Sequence, residues 1–344
     1  MKNILINHSK LLFLFASMCI MTSCEESLIG PAVLNTPQTN FEEMWKSYDQ
    51  YYGLFEVKEV DWQATYDVYA PLINDQTTDE ELKDIFHEMI DPLNDNHTYI
   101  ITSENEPRIE SGIFDTLKVQ TDFSLDLIPA YVSDFTHYGA AIDYGTLEGN
   151  IGYIHLGDFI PSQKYFGDAL DQILGELKDT DGMVIDIRDN AGGSDAAAQY
   201  VAGRFATETK LYMTVRKKSG PGPNDFTQAI PWHVDPTGGT RFTKPVVVLT
   251  SQWTQSAGET FMLAMQQLSN VTQLGDYTSG AFSDNIAREL PNGWFCFMSI
   301  GDYRAADGKS YEGIGVKPDV WLVNLKADIQ SGKDIELERA MEIL

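Results

Sequence analysis

Ser256 stands where an apolar strand gives way to a helix, a position that suits a catalytic nucleophile. Residues 245–250 are mostly β-branched and predict a buried strand, while residues 257–268 predict a helix. The serine hydroxyl would then project from the carboxyl edge of a sheet, towards the free amide groups that begin the helix at Ala257. Such amides can bind the oxyanion of an acyl-transfer reaction. The alternative is that the Ser256 side chain only caps the helix.

A second strand-to-turn element could supply the other half of an oxyanion hole. Residues 182–188 predict a strand, and the turn that follows contains Gly192 and Gly193. Adjacent glycines allow a sharp turn and leave their N–H groups uncovered by side chains. One of these two amides could therefore bind the oxyanion together with Ala257. The pair lacks the spaced glycines and the lysine of a phosphate-binding loop, so no nucleotide is predicted.

Four short motifs together resemble a family of serine peptidases. They are Asp-Ile-Arg-Asp-Asn-Ala-Gly-Gly at 186–193, Ser-Ala-Gly-Glu at 256–259, Gly-Asp-Tyr-Thr-Ser-Gly at 275–280 and Glu-Gly-Ile-Gly-Val-Lys-Pro-Asp at 312–319. Their order and spacing are similar to those of the tail-specific, or C-terminal processing, serine peptidases. The resemblance is close from about residue 150 to 325. It implies an α/β fold with a crotonase-like ββα core, and neither a metal nor an organic cofactor.

The same resemblance distinguishes two catalytic arrangements. In the bacterial processing proteases, a lysine after the motif at 275–280 is the general base, but the corresponding residue here is Ala281. In the tricorn-like branch, a histidine ahead of the core is the base and a later glutamate supports the machinery. The run Leu-Asn-Asp-Asn-His-Thr-Tyr at 93–99 resembles that histidine motif. The resemblance therefore implies His97 as the base and Glu312 as the supporting carboxylate.

The chemistry of a serine–histidine pair is consistent with these roles. A serine hydroxyl is a weak nucleophile until a base takes its proton, and imidazole, with a pKa of about 6.5, does this at neutral pH. A carboxylate can then orient the imidazole or a catalytic water. His155, within the predicted strand 152–157, is the strongest rival for the base, although a histidine in a core strand more often has a structural role.

The first residues predict export and a lipid anchor. Lys2 and Lys10 accompany an apolar stretch that is too short to span a membrane and resembles a secretory leader. The run Met-Thr-Ser-Cys at 21–24 resembles a bacterial lipobox, which implies cleavage before Cys24 and lipid attachment to it. Acyl chains would hold the protein on a periplasmic or cell-surface membrane face without spanning the membrane. The alternative is an ordinary leader with a chance cysteine.

Composition limits the partners. The chain has 24 Lys and Arg against 51 Asp and Glu, a formal net charge of −27, which argues against binding nucleic acid. Of the three cysteines, Cys19 and Cys24 belong to the leader and the lipidation site. Cys296 remains alone in an aromatic strand, so an internal disulfide is not expected. We expect Cys296 to lie in the core.

Changes of pattern along the chain predict its organisation. The predicted units are a lipoprotein signal peptide at 1–23, a tether at 24–38, a helical cap domain at 39–97, a short β-rich connecting segment at 98–149 and the catalytic core at 150–344. The connecting segment is too short for the PDZ domain that many relatives carry. In the core, strands alternate with helices, which places a site at the carboxyl ends of the strands.

The sequence therefore predicts a secreted, lipid-anchored serine peptidase of the tricorn-like branch that acts on peptide or protein substrates. Two alternatives use the same residues differently. One is a catalytically silent lipoprotein that binds peptides or glycans, and the other is an esterase or amidase using Ser256. The sequence makes no prediction of the oligomeric state.

Overall fold

A computed structural model describes residues 34–112 and 123–344. The predicted signal peptide at 1–23, the predicted lipidation site Cys24 and most of the predicted tether at 24–38 lie outside the described residues. Within the described ranges, no helix has the length and apolar character needed to cross a membrane.

The helices and strands follow one another in a pattern that is helical first and mixed α/β afterwards. The helices are α1 (Pro37–Tyr51), α2 (Phe55–Lys58), α3 (Trp62–Tyr69), α4 (Asp79–Ile90), α5 (Gln163–Glu176), α6 (Asp195–Ala202), α7 (Ala257–Met265), α8 (Lys326–Gln330) and α9 (Ile335–Ile343). The strands are β1 (Tyr99–Ile101), β2 (Ile109–Glu110), β3 (Ser133–Tyr138), β4 (Ile142–Leu147), β5 (Ile151–Leu156), β6 (Gly182–Asp186), β7 (Lys210–Lys217), β8 (Ile230–Val234), β9 (Val246–Thr250), β10 (Val271–Gly275), β11 (Asn285–Glu289), β12 (Phe295–Ser299), β13 (Gly301–Ala305) and β14 (Val320–Trp321).

A seven-stranded sheet forms the centre of the core, with the order β14-β10-β9-β6-β5-β4-β3. The strands from β14 to β5 run parallel, whereas β4 and β3 are antiparallel additions. Side chains alternate between its faces: Ile185 packs under α5, α6 and α7, while Val184 packs against Leu337 of α9. β13, β7 and β8 form a separate three-stranded sheet. The predicted α/β class is confirmed.

The cap is built from two distant parts of the chain. α1 to α4 pack on a four-stranded antiparallel sheet whose order is β11-β12-β1-β2, and β11 and β12 come from far downstream. Ile100 pairs with Cys296 in this sheet, and both are buried in the same apolar cluster as Tyr48 and Phe86. Cys296 is therefore a core residue, as predicted.

The sheets do not follow the predicted boundary at residue 150. β3 and β4 lie in the predicted connecting segment at 98–149, but β4 pairs with β5 along its whole length, so the core sheet begins at Ser133. β11 and β12 lie in the predicted core but belong to the cap sheet. The boundary was inferred from local pattern, whereas strand pairing depends on residues that are distant in sequence.

Candidate active site

Ser256 occupies a sharp turn between β9 and α7. Its φ of +54° and ψ of −120° are unusual for a residue with a side chain, and strain of this kind is often found at functional sites. Within the described residues its hydroxyl makes no capping hydrogen bond to α7, and the N–H of Glu259 donates to the Ser256 carbonyl at 2.9 Å. The main-chain N–H of Ser256 donates to the carbonyl of Ala281 at 3.0 Å. The backbone is thus held while the hydroxyl stays available.

Glu259 anchors this turn from inside the protein. Its fully buried carboxylate accepts hydrogen bonds from the Thr278 hydroxyl at 2.6 Å, the Gly280 and Ala281 amides at 2.7 Å each, and the Ser256 amide at 3.3 Å. Burial raises the pKa of Glu259 to about 7, and the hydrogen bonds oppose that rise. The carboxylate joins the first turn of α7 to the motif at 275–280.

Asn190 makes hydrogen bonds both to the turn that contains Gly192 and Gly193 and to the turn that contains Ser256. Its side-chain Nδ2 donates to the carbonyl of Leu156 at 2.8 Å, and its Oδ1 accepts the Gly192 amide at 2.9 Å. Its own carbonyl accepts the amide of Gln255, the residue before Ser256, at 2.9 Å. Asn190 is fully buried, so these bonds are shielded from water.

Ala257, which follows Ser256, and Gly193, which follows the close neighbour Gly192, carry amides without an acceptor in the described structure. Gly192 lies so close that an added Cβ would stand 2.6 Å from the Ser256 Cβ, but its amide is already bonded to Asn190. The amide of the exposed Gly193, whose φ is +136°, has no acceptor within the described residues. Neither has the amide of Ala257, the first residue of α7. These are the donor types that an oxyanion hole requires.

His97 and Ser256 line one cleft of about 440 Å³. The other lining residues are Ser283, Asp284, Asn285, Ile286 and Ile300. His97 is held through its backbone, because its N–H donates to Asp95 Oδ1 at 2.9 Å and its carbonyl accepts from Asn285 Nδ2 at 3.1 Å. Burial lowers the pKa of His97, against the opposing influence of the Asp95 charge. A lowered pKa keeps the imidazole neutral, which is the form that accepts a proton.

Glu312 is buried behind the cleft wall. Its Oε2 accepts the amide of Phe282 at 3.1 Å, and Phe282 precedes the cleft residue Ser283. Burial raises the pKa of Glu312 well above its usual range, and the Asp95 charge raises it further. Within the described residues, Glu312 Oε1 and His97 Nδ1 are both buried without a hydrogen-bond partner. No hydrogen bond joins the two side chains in this structure.

Asp95 is a buried carboxylate of the site that the sequence interpretation did not single out. It accepts the His97 amide and, through Oδ2, the Thr98 hydroxyl at 2.9 Å. Burial raises the pKa of Tyr52 well above its usual range, and the Asp95 charge raises it further. The signal was present in the run at 93–99, where Asp95 precedes His97 by two positions. The sequence interpretation also assigned no role to Asn190 or Glu259, although they lie within the motifs at 186–193 and 256–259.

His155, the rival for the base, has a different role. It lies between two carboxylates, with Nδ1 at 2.8 Å from Asp143 and Nε2 at 2.7 Å from Asp189. Burial alone would lower its pKa, but the two hydrogen bonds raise the pKa of His155 to about 10. An imidazolium held on both sides cannot accept a proton at neutral pH, and His155 does not line the cleft.

Two family models match separate parts of the chain. The model of peptidase family S41 matches residues 150–322, and that of the tricorn protease C1 domain matches residues 35–91. The carboxy-terminal processing protease CtpA of Bacillus subtilis is 30% identical over 174 residues, which cover 50% of this chain and 35% of that protein. The chain spans less than half the length of the curated relatives that it matches.

Solved structures resemble almost the whole chain. A protein from Parabacteroides merdae that is assigned as a peptidase is 31% identical, with a TM-score of 0.80, over 90% of this chain and 97% of that chain. Mature CPAF is 11% identical, with a TM-score of 0.68, over 91% of this chain and 97% of that chain. The second likeness concerns the fold alone.

Proposed function

Because the chain belongs to peptidase family S41, we propose that it is a serine peptidase in which Ser256 attacks the carbonyl carbon of a peptide bond. The observation that carries this proposal is the setting of the serine. Within the described residues its hydroxyl makes no capping hydrogen bond, its backbone is strained, and two amides lack an acceptor. They belong to Ala257, which follows Ser256, and to Gly193, which follows the close neighbour Gly192. These features suit acyl transfer.

The proposed reaction begins with proton transfer to His97. The neutral imidazole takes the proton of the Ser256 hydroxyl as its oxygen bonds to the peptide carbon. The carbonyl oxygen becomes an oxyanion that the amides of Gly193 and Ala257 stabilise. His97 then gives its proton to the leaving amine as the peptide C–N bond breaks. The acyl group stays on Ser256 as an acyl-enzyme. Water, deprotonated by His97, hydrolyses the ester and regenerates the serine.

Glu312 is proposed to support the protonated form of His97. Within the described residues, its Oε1 and the His97 Nδ1 are both buried without a hydrogen-bond partner, and one is an acceptor and the other a potential donor. Catalytic hydrogen bonds are often long without substrate and shorten when it binds. A positive imidazolium would also favour the ionised carboxylate of Glu312, against the burial that raises its pKa.

The proposed substrates are peptides or proteins outside the cytoplasm. The relatives CtpA of Bacillus subtilis and the Synechocystis protease are named for carboxy-terminal processing, which supports a protein substrate. The lipobox-like run at 21–24 supports anchoring to a membrane face through Cys24. Replacing Cys24 by Ser should move the protein from the membrane fraction to the soluble fraction or leave it unprocessed. An unmodified amino terminus at another residue would contradict the anchor.

A fluorophosphonate probe tests the nucleophile directly. The wild-type protein should be labelled, with the mass increase on the peptide that contains Ser256, and Ser256→Ala should abolish labelling. Ser269→Ala, at an exposed serine outside the cleft, is the matched control and should be labelled like the wild type. Equal labelling of Ser256→Ala would refute the proposal. Digestion of a peptide library, compared with simple esters, then separates a peptidase from an esterase.

A further inference from the structure

β11 is the edge strand of the cap sheet. Its residues pair with β12 in antiparallel register, from Asn285 opposite Ser299 to Glu289 opposite Phe295. The sheet order β11-β12-β1-β2 places no strand of the described residues on its other side. An open edge of this kind can accept a further strand.

The hydrogen bonds at the two ends of β11 define which residues face outward. Ile300 N donates to the Asp284 carbonyl at 2.9 Å, just before the strand, and Leu290 N donates to the Trp294 carbonyl at 2.8 Å, just after it. In an antiparallel pair, hydrogen-bonded and non-hydrogen-bonded residues alternate. The even-numbered residues of β11 therefore direct their main-chain groups towards β12.

The odd-numbered residues direct theirs to the open side. Asn285, Ala287 and Glu289 thus present a row of N–H and C=O groups away from β12. In the described parts of the chain, none of these main-chain groups has a hydrogen-bond partner. Ala287 and Glu289 are also exposed. The open edge is therefore unblocked as well as unpaired.

This edge begins at the catalytic cleft. Asn285 and Ile286 line the cleft together with Ser256 and His97. The chain reaches β11 directly from Ala281, whose carbonyl accepts the Ser256 amide. A peptide lying along the edge would therefore pass the serine hydroxyl at one end of β11 and continue away from it at the other.

We propose that the substrate docks as an added strand on the open edge of β11, and this rests on the proposed peptidase function. Alternate residues of an extended peptide bond to Asn285, Ala287 and Glu289, which together span about 14 Å at about 3.4 Å per residue. Because main-chain groups are recognised, the occupant is an extended segment of varied sequence. Continuity of the edge with the cleft favours a peptide over a second copy of the chain.

A backbone scan of a peptide that the wild-type enzyme cleaves tests this docking. Each amide nitrogen on one side of the scissile bond, and then on the other, is N-methylated in turn. On the docked side, KM should rise about fivefold or more at every second position, as expected for loss of one hydrogen bond. The intervening positions are the internal controls and should change less than twofold. A scan without this two-residue period would overturn the proposal.

Ala287→Pro tests the same contact from the enzyme side. Proline removes the outward N–H without removing a bond to β12, and edge strands tolerate proline at such positions. We expect an increase of about fivefold in KM for the long peptide, with an unchanged unfolding temperature. Glu104→Pro, in an exposed turn outside the cleft, is the matched control and should keep the wild-type KM. Should Ala287→Pro fail to fold, the backbone scan on the wild type decides alone.

The outcomes distinguish this inference from the proposed function. Ser256-dependent cleavage without a two-residue period refutes the docking and leaves the peptidase proposal intact. Absence of any Ser256-dependent cleavage refutes the peptidase proposal itself. A dimer in sedimentation that Ala287→Pro dissociates, with wild-type KM retained, would assign the edge to a second copy and overturn the docking of substrate.

Discussion

Asn190 Oδ1 accepts the Gly192 amide at 2.9 Å, so that of the two adjacent glycines only Gly193 has an N–H without an acceptor in the described residues. One side chain thus determines which amide is available to an oxyanion. The same residue also contacts the strand end at Leu156 and the serine turn at Gln255. It is a positioning residue rather than a catalytic one.

Asn190→Ala should therefore reduce catalysis more than binding. Loss of the clamp lets the glycine turn rotate, and loss of one oxyanion donor typically costs about 100-fold to 1000-fold in kcat. We expect kcat to fall by about 100-fold, with KM within threefold of the wild type and a loss of about 1–3 kcal/mol in the free energy of unfolding. Asn270→Ala also loses a side-chain hydrogen bond but lies outside the cleft, and should keep its kcat. If Asn190→Ala had the same kcat as the wild type, Asn190 would not be a positioning residue.

The strained backbone of Ser256 predicts an unusual effect on stability. Glycine adopts a positive φ at little cost, whereas alanine retains the strain. In denaturant titrations, the free energy of unfolding of Ser256→Gly should therefore be about 1 kcal/mol higher than that of Ser256→Ala. Neither variant should hydrolyse substrate. Ala257→Gly, at the first residue of α7, should be destabilised by up to about 1 kcal/mol. If Ser256→Gly is no more stable than Ser256→Ala, the turn is not strained.

The lowered pKa of His97 predicts the pH dependence of activity. The base form is the neutral imidazole, so kcat/KM should rise with pH through the pKa of His97, at a midpoint below the usual value of about 6.5. The Asp95 charge raises this pKa, so Asp95→Asn should move the midpoint to still lower pH. A midpoint above about 6.5 would contradict the neutral base. His97→Ala should lose about 1000-fold or more in kcat, and Glu312→Gln should lose less.

The His155 site predicts a loss of stability at alkaline pH. Its folded-state pKa of about 10 exceeds the unfolded value of about 6.5, so its contribution is complete below about 6.5 and is lost as pH rises through about 10. On the order of 2–4 kcal/mol should disappear over this window in denaturant titrations. His155→Gln should be less stable than the wild type at pH 6, and its free energy of unfolding should depend less strongly on pH. A wild-type free energy of unfolding that stays constant across the window would refute the imidazolium.

Several features follow from residues that are close together in the sequence. The apolar run at 245–250 and the small residues after it specify the strand, the turn and the helix around Ser256. The capping box of α4, in which Thr78 and Glu81 bond to each other's amides, is likewise local. The α/β class and the family also followed from local motifs and their order. Such features depend on interactions within a few residues, so they can be read from the chain itself.

Tertiary structure alone decided how these parts meet. β11 and β12 lie downstream of Ser256 but pair beside β1, and this pairing brings His97 into the cleft of the serine. The pairing of β4 with β5 likewise moved the start of the core sheet ahead of the predicted boundary. The shared burial of Asp95 and Glu312 had no local signal either. Strand register and the burial of charge depend on long-range packing, in which each residue's partners come from distant parts of the chain.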